Sequence, residues 1–304
     1  KRKDLPAMKV LITGGSGLLG QYVNIALAAE HDILTSYNTN PGNCSLFNSA
    51  RVNLTDYLQL VRIFEEFQPQ CVVHLAALAS PMLQEGISNK QVYKINVQAT
   101  DQLARVCRRL GARMIYTSTD LVYAGYRGTM LNEDAKLVPI SLYAETKLMG
   151  EVKIQSALKN HVILRTSLMY GLGLSHCSAH FDYMLTNLSA NKEVKLFIDQ
   201  IRTPLSYRNA ASIIAQVVNN PRVNGIYNFG GIDRLSRYRM GEMLCELGNF
   251  NKSLLIPSSC KDIPNYPAVE DVSLSTDKLR AHGITINNFE TEVRDILSTY
   301  EKEK

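Results

Sequence analysis

The sequence lacks several features that define other classes of protein. None of its apolar runs reaches the length of about 18 residues that a membrane-spanning helix needs. The six cysteines form no C-x-x-C pair and no cluster with histidine, so they predict reduced thiols in an intracellular, cytoplasmic protein without a structural zinc site. We therefore assign no metal-binding residue, and whether a divalent metal assists the reaction does not follow from the sequence. The formal charge of +5 has no dense basic cluster beyond residues 1–3, which argues against nucleic acid as a partner.

What the chain does contain is the balance of a globular protein, with 45% hydrophobic and 20% charged residues. A length of 304 residues predicts one large domain or two intimate ones. The basic start followed by an apolar stretch imitates a signal peptide, but Gly14, Gly15 and Gly17 interrupt that stretch, so we reject a signal peptide. Residues 1–7 precede Met8, and we interpret them as a leader or an artificial extension of the fold.

Short β-branched runs alternate with longer helical patterns through the first half of the chain. This alternation predicts an α/β fold with a Rossmann-type, doubly wound parallel sheet. The predicted strands are residues 9–13, 33–37, 71–75, 113–117 and 162–165, and the predicted helices are residues 18–30, 57–67, 92–110 and 142–159.

The rhythm changes after Tyr170, which predicts a smaller, mixed α/β lobe made of two separated pieces. A helix at 210–219 and a strand at 225–229 are predicted to return to the sheet. We therefore predict a nucleotide-binding domain of residues 8–167 plus about 205–232, and a substrate-binding lobe of about 168–204 plus 233–304. Other elements predicted for the lobe are helices at 179–190, 238–247 and 289–300 and a strand at 195–198.

A glycine-rich turn lies between the first predicted strand and helix, where Gly14, Gly17 and Gly20 follow the pattern G-x-x-G-x-x-G. Glycines here permit a tight turn, close approach of backbone N–H groups to a pyrophosphate, and close helix packing. The pattern favours dinucleotide binding over a ligand-free turn. The stretch TSYNTN after the second strand has neither a carboxylate for an NAD ribose nor an arginine for an NADP phosphate. The missing carboxylate favours NADP(H), with NAD(H) as the alternative.

Tyr143 and Lys147 are four residues apart in a predicted helix and share one face, about 6 Å apart along its axis. An ammonium group near a phenol lowers the phenol pKa from its usual value of about 10. Alone, such a pair is more often a solvated helix face. Ser118, Thr119 and Asp120 at the end of the fourth predicted strand add hydroxyls and a carboxylate at the same sheet edge, which favours a proton-donating site.

Taken together, these motifs resemble the extended short-chain dehydrogenase/reductases, which act mostly on nucleotide sugars. The resemblance runs from Met8 to about Leu297 and rests on TGGSGLLG, NLTD, HLAA, KINV, STDLVY, YAETK and LRTSLMYG. Within that family the segments IRTP, GIYNFGG and LSRYRM are most similar to those of the dTDP-4-dehydrorhamnose reductases. The resemblance implies reduction of the C4 ketone of a 4-dehydro-6-deoxy nucleotide sugar by NADPH.

The resemblance also implies a role for each matching residue. Tyr143 becomes the proton donor, Lys147 lowers its pKa and binds the nicotinamide ribose, and Thr119 polarises the substrate carbonyl. The implied cofactor contacts are Gly14, Ser16, Gly17, Leu18, Leu19, Tyr37, Asn53, Leu54, Ala76, Ala77, Leu78, Ser118 and Thr166, besides Tyr143 and Lys147. The implied substrate contacts are Asp120, Leu121, Arg202 and Thr203.

Some positions depart from the family. Asn53 stands where members often have aspartate, and Leu121 stands where the dehydratases have a catalytic glutamate, so a dehydratase would lack its acid. Residues 265–274, NYPAVEDVSL, lack the arginine that reductases often carry there, which weakens the case for phosphate binding by that segment. Asn96 fits a direct catalytic role and a buried brace for the central helix equally well.

Two alternatives to the reductase stay open at this point. A nucleotide-sugar epimerase would return the hydride and show no net oxidation of its cofactor. A non-catalytic, NADP-binding regulatory subunit resembling that of methionine adenosyltransferase would keep the fold and dock to another enzyme. That subunit's family also keeps such residues as Tyr143 and Lys147, so their presence does not decide the question. The oligomeric state, with a homodimer among the alternatives, does not follow from the sequence.

Overall fold

A computed structural model of the chain describes residues 7–79, 86–126, 128–264 and 266–302. Its strands are β1 (Lys9–Thr13), β2 (Asp32–Tyr37), β3 (Ser49–Arg51), β4 (Cys71–His74), β5 (Arg113–Thr119), β6 (His161–Thr166), β7 (Met169–Tyr170), β8 (Val194–Phe197), β9 (Ile201–Arg202), β10 (Leu205–Ser206), β11 (Gly225–Phe229), β12 (Leu235–Ser236) and β13 (Leu255–Ser258). Seven of them form one sheet in the order β11-β6-β5-β4-β1-β2-β3, with every neighbouring pair parallel. The predicted Rossmann-type α/β fold is confirmed.

The helices are α1 (Leu18–Ala28), α2 (Tyr57–Phe67), α3 (Asn89–Tyr93), α4 (Thr100–Leu110), α5 (Leu142–Ala157), α6 (His180–Ser189), α7 (Tyr207–Val218), α8 (Arg237–Gly248), α9 (Asp277–Arg280) and α10 (Phe289–Lys302). A π-helical turn at Lys94–Ala99 joins α3 to α4 without a break. None of these described helices is long and apolar enough to cross a membrane.

Helices cover both faces of the large sheet. On one face α1 and α7 pack over residues such as Val10, Val73 and Leu164, and on the other α2, α4 and α5 pack over residues such as Leu11 and Met114. Because both faces are buried, the central strands read as nearly continuous apolar runs, which is why the sequence pattern located them.

The sheet differs from the prediction at one edge, where β3 adds a strand parallel to β2. This strand has only three residues, Ser-Ala-Arg, and none of them is β-branched or aromatic, so its sequence carries no strand signal. Helix α3 also begins earlier than predicted, because Ser88 and Gln91 form a capping box at its start.

A second apolar core lies apart from the sheet, between α6, α8, α10 and the paired strands β8 and β13. Its aromatic centre joins Tyr170 to Phe289, whose ring centroids are 4.7 Å apart. The boundaries of the two predicted domains stay a prediction. Residues 1–6 of the predicted leader lie outside the described residues.

A buried ion pair fastens α5 to the sheet. The Arg165 guanidinium on β6 lies 2.8 Å from the Glu151 carboxylate on α5, and the two side chains are 3% and 0% exposed. Arg165 also donates to the Tyr123 hydroxyl at 2.9 Å, and that hydroxyl donates to the Asn228 side chain at 2.7 Å. Such a pair is costly to break because one charge then stays buried without a partner.

We expect Arg165→Met to lower the free energy of unfolding by about 3–5 kcal/mol, since it strands the Glu151 carboxylate. The double variant Arg165→Met, Glu151→Leu should recover most of that loss. Urea unfolding of the two single variants and the double variant measures the coupling. Arg105→Met breaks the exposed pair with Asp101 and should cost less than about 1 kcal/mol. Equal unfolding midpoints for Arg165→Met and the parent protein would contradict this account.

Candidate active site

The glycine-rich turn follows β1 at the carboxyl edge of the sheet. Gly14 has a φ of +73°, and a Cβ there would lie 2.6 Å from the backbone nitrogen of Ala76, so the close approach of the two backbones requires glycine. Gly20 is equally restricted by the Gly14 carbonyl. Gly17 differs because it is exposed and a Cβ there would meet only the Gly14 oxygen, at 3.4 Å.

Helix α1 begins at this turn without a side-chain cap and with no acidic residue in its first turn. The first N–H groups of a helix have no partner inside the helix, so those around Ser16, Leu18 and Leu19 are available to an anion. The open space at Gly17 and these uncapped groups fit a dinucleotide pyrophosphate.

Asn96 holds the next part of this edge. Its side chain accepts a hydrogen bond from the Leu78 nitrogen at 2.9 Å and donates to the Leu78 oxygen at 3.3 Å and to the Thr146 hydroxyl at 3.1 Å. Asn96 is therefore the buried brace of the two predicted alternatives, because its polar atoms tie the Ala76–Leu78 segment to α5. It lies in the π-helical turn, which presents its side chain to both partners.

The predicted hydroxyls converge on the tip of β5. Thr119 stands directly opposite Thr166 in the parallel register, and the Thr166 hydroxyl donates to the Ser118 oxygen at 2.7 Å. The Ser118 side chain is buried, and its hydroxyl has no partner among the described residues. A buried hydroxyl without a partner is costly unless a ligand satisfies it, so this atom also fits a bound cofactor.

Tyr143 is half-buried at the start of α5, which Ser141 caps. Burial raises the pKa of its phenol, and the nearby Asp120 carboxylate raises it further, while a hydrogen bond with Thr119 and the charge of Arg202 act in the opposite direction. The Thr119 hydroxyl therefore lies close enough to the Tyr143 phenol to influence its pKa. At neutral pH the phenol carries its proton.

Lys147 lies one turn further along α5 and is buried, with its Nζ atom 4.0 Å from the centroid of the Tyr116 ring. Burial lowers its pKa to about 7, and the Glu151 carboxylate one turn on opposes that shift. The sequence predicted that Lys147 would lower the pKa of Tyr143. In the structure burial is the largest influence on both groups: it raises the pKa of Tyr143 and lowers the pKa of Lys147, which disfavours the charged form of each. Desolvation penalises a phenolate and an ammonium alike.

Asp120 connects this site to strand β9. Its Oδ2 atom lies 2.5 Å from the Nη1 atom of Arg202, and the two side chains are 2% and 11% exposed. Asp120 also accepts a hydrogen bond from the Thr119 hydroxyl at 3.3 Å. The predicted substrate residues Asp120 and Arg202 are therefore in contact with each other and with the proton-donor site.

Thr203 differs from the other predicted substrate contacts. It is fully buried, its nitrogen donates to the Ser167 hydroxyl, and its own hydroxyl accepts from the Leu274 nitrogen at 3.2 Å. Thr203 is thus engaged with Ser167 and Leu274, and its role in substrate binding stays a prediction. Leu121, half-buried one residue after Asp120, stays at the surface of the site.

The adenosine end of the predicted cofactor site is more open. Tyr37 is half-buried at the end of β2, and Asn53 is exposed with its side-chain oxygen accepting from Thr55 at 2.8 Å. Leu54 is half-buried beside it. The adenine contacts of Asn53 and Leu54 and the cofactor contact of Tyr37 stay predictions.

Arg51 is a residue that the sequence reasoning missed. It ends β3 directly opposite Tyr37, and its Nε atom donates to the Asn38 oxygen at 2.9 Å, which leaves its exposed terminal nitrogens free of partners among the described residues. The arginine absent from the loop after β2 thus arrives from the neighbouring strand. Only the tertiary pairing reveals it, because 13 residues separate it from Asn38 along the chain.

The chain was also compared with known proteins. The family model described as RmlD substrate binding domain matches residues 8–302. The beta subunit of methionine adenosyltransferase 2 from Pongo abelii is 28% identical over 295 residues, which cover 92% of this chain and 84% of that protein. A probable low-salt glycan biosynthesis reductase, Agl14, from Haloferax volcanii is 28% identical over 263 residues, which cover 84% and 85% of the two chains.

Solved structures show the same fold. The crystal structure of dTDP-4-dehydrorhamnose reductase from Bacillus anthracis str. Ames, in complex with NADP, has a TM-score of 0.83. The match covers 98% of this chain and all of that one at 21% identity, so it is a likeness of fold.

The lowered pKa of Lys147 predicts how stability varies with pH. Below about pH 7 Lys147 is charged in the folded and in the unfolded protein, and the cost of burying its charge on folding is at its maximum. Between about pH 7 and its ordinary pKa of 10.5 the unfolded chain binds the proton and the folded protein does not, so stability rises with pH. Unfolding free energy should therefore increase by up to about 1.4 kcal/mol per pH unit relative to Lys147→Met.

Urea unfolding at pH 7, 8 and 9 measures this difference in slope. Lys90→Met, which removes an exposed lysine from α3, is the control and should keep the slope of the parent protein. Parallel curves for the parent and Lys147→Met would show that the buried lysine does not titrate in this range.

Proposed function

The chain belongs to the RmlD substrate binding domain family, and on that premise we propose that it is an NADP(H)-dependent reductase of the C4 ketone of a 4-dehydro-6-deoxy nucleotide sugar. The observation that carries the proposal is the meeting of Thr119, Tyr143 and the glycine-rich turn at one carboxyl edge of the sheet. Ligand sites of open α/β sheets lie at this edge. The resemblance of the sequence to the dTDP-4-dehydrorhamnose reductases supplies the substrate class.

Two regions of the site would each contact a different part of the cofactor. The uncapped start of α1 would hold the pyrophosphate, and the unpaired Ser118 hydroxyl would meet the nicotinamide end. When bound, NADPH supplies the hydride. Asn96 holds the strand-end backbone against α5, so the cofactor wall and the proton donor keep a fixed separation.

The raised pKa of Tyr143 suits a proton donor. A general acid must carry its proton before the reaction, and burial beside Asp120 keeps the phenol protonated. The alkoxide formed when a ketone accepts hydride is a far stronger base than a phenolate, so proton transfer from Tyr143 is downhill. The Thr119 hydroxyl, which can rotate between partners, would donate to the same oxygen.

A regulatory role is the second candidate, and one observation favours it. The beta subunit of methionine adenosyltransferase 2 is similar to this chain over 92% of its length. Identity of 28% allows a different activity on the same fold. Co-purification with a methionine adenosyltransferase, without oxidation of NADPH by any 4-keto nucleotide sugar, would favour this alternative.

We expect Tyr143→Phe to lower kcat by about 10² to 10⁴, because the substitution removes the transferable proton and little volume. Oxidation of NADPH at 340 nm, with a panel of 4-keto nucleotide sugars that includes dTDP-4-dehydrorhamnose, measures turnover. Tyr183→Phe, an exposed tyrosine on α6, is the matched control and should retain the activity of the parent protein. Unchanged turnover by Tyr143→Phe would remove the phenol from the mechanism.

We also propose that Arg51 recognises the 2′-phosphate of NADP(H), because its guanidinium stands free beside Tyr37 where an adenosine ribose ends. Arg51→Met should weaken NADPH binding by about 10- to 100-fold and leave NADH binding unchanged, since charge-assisted bonds to phosphate are worth about 1.5–3 kcal/mol. Fluorescence titration with both cofactors gives the two dissociation constants. Arg62→Met, exposed on α2, serves as control. An equal loss for both cofactors would contradict phosphate recognition.

A further inference from the structure

Strand β9 carries Arg202 into the candidate active site and lies between two chain segments. On one side β12 pairs with it antiparallel, with Leu235 opposite Arg202. On the other side Ile201 forms a bridge with Asp271 and donates to the Glu270 oxygen at 2.8 Å. This second segment is the one whose sequence lacks the arginine that related reductases often carry.

An arginine reaches the same region from the other neighbour. Arg237 follows β12 as the first residue of α8, two positions beyond the residue that faces Arg202. Its side chain is half-buried and forms no ion pair or hydrogen bond with any residue in the part of the chain that the structure describes. Burial lowers the pKa of Arg237 and the charge of Arg202 lowers it further, with Tyr266 and Tyr207 opposing the shift.

Five carboxylates of the described chain lie near β9 and β12, and each already has a positive or hydrogen-bonding partner. None of these five forms an ion pair with Arg237. The pairs are Asp120 with Arg202, Asp271 with Arg234, Glu270 with Lys261, Asp199 with Ser259 and the Cys260 nitrogen, and Asp233 with the Phe289 nitrogen. A partly buried cation without a counter-ion opposes folding unless an anion binds to it.

A second polar group beside β9 also lacks a partner. The Gln200 side chain is 2% exposed, and its Nε2 atom has no acceptor among the described residues. Its oxygen accepts from the Tyr266 hydroxyl at 3.4 Å, and Tyr266 is one of the groups that act on Arg237. Gln200 and Arg202 are two residues apart on an extended segment, so their side chains leave on the same side. An unpaired donor and an unpaired cation thus lie in one neighbourhood.

Arg202 links Gln200 and Arg237 to the proposed proton donor, Tyr143. That guanidinium contacts Asp120, and Asp120 is hydrogen-bonded to Thr119 beside Tyr143. In a nucleotide sugar the diphosphate is attached to C1, across the ring from C4. A sugar whose C4 ketone lies at Tyr143 therefore directs its negative charge away from the phenol, towards the arginines that lie beyond Asp120.

We propose that Arg237, together with Arg202, forms the subsite for the diphosphate of the nucleotide sugar and replaces the arginine missing from residues 265–274; this inference rests on the proposed reductase function. Guanidinium groups bind phosphate oxygens in a bidentate manner, and the two arginines offer a pair of such forks. Gln200 supplies a neutral donor at the edge of the same subsite. The subsite is separate from the cofactor pyrophosphate site at the start of α1.

Calorimetric binding of dTDP and of UDP to the purified protein tests the subsite without requiring turnover. Arg237→Met should weaken binding of whichever nucleotide the parent protein holds by about 10- to 100-fold, and Arg237→Lys, which keeps a point charge, by less. Binding of thymidine or uridine, which lack phosphate, should not change. Arg239→Met is the matched control, because Arg239 lies on the same helix, is exposed and pairs with Glu242.

Thermal unfolding supplies a second measurement. A structural arginine would lower the melting temperature when removed, whereas loss of an uncompensated cation should leave the ligand-free protein at least as stable as the parent. In turnover assays Arg237→Met should raise KM for the nucleotide sugar much more than it lowers kcat.

The outcomes separate the subsite from the reductase proposal. Loss of nucleotide binding in Arg237→Met, with no turnover by the parent protein, would support the subsite and overturn the reductase. Active parent protein, with equal dTDP and UDP affinity in the parent and Arg237→Met, would overturn the subsite alone. A parent protein that binds these nucleotides no more tightly than thymidine and uridine would overturn the subsite as well.

Discussion

The buried ion pair between Glu151 and Arg165 is the contact on which the geometry of the site depends. It joins the middle of α5 to β6, and both Lys147 and Tyr143 lie on the same helix, one and two turns before Glu151. The pair is linked through Tyr123 to Asn228 on β11, so the helix is fixed to two strands of the sheet at once. An apolar contact of the same volume could be more stable, but it would fix the rotation and height of α5 less specifically. The positions of Tyr143 and Lys147 relative to the sheet depend on that specificity.

Burial, more than any pairwise contact, sets the protonation of the site. The phenol of Tyr143 is kept protonated and the ammonium of Lys147 is destabilised, because neither group exchanges its water for a full set of polar partners. The Asp120 carboxylate beside this phenol is paired with the Arg202 guanidinium, and both side chains are largely buried.

The sequence predicted those elements whose boundaries are determined by the residues of one short segment. The ends of β1, α2 and β11 agree with the prediction, since buried apolar runs bounded by turn residues determine them locally. Arg51 and Arg237 could not be found in this way, because each matters through a strand pairing that joins distant segments. Asn96 left two alternatives open until its three hydrogen bonds were known. Thr203 was assigned to the substrate contacts by motif position, and its hydrogen bond with the Leu274 nitrogen could be found only from the structure.

The protonation of Tyr143 also bears on the choice between reductase and epimerase. An epimerase must take a proton from a hydroxyl in one half-reaction and return it in the other, so its tyrosine works best with a pKa near the operating pH. Burial and the adjacent Asp120 carboxylate raise the phenol pKa, while the Thr119 hydroxyl and the charge of Arg202 oppose that shift. A donor of a proton to an alkoxide needs no lowered pKa, so a raised phenol pKa is compatible with the proposed reduction of a ketone.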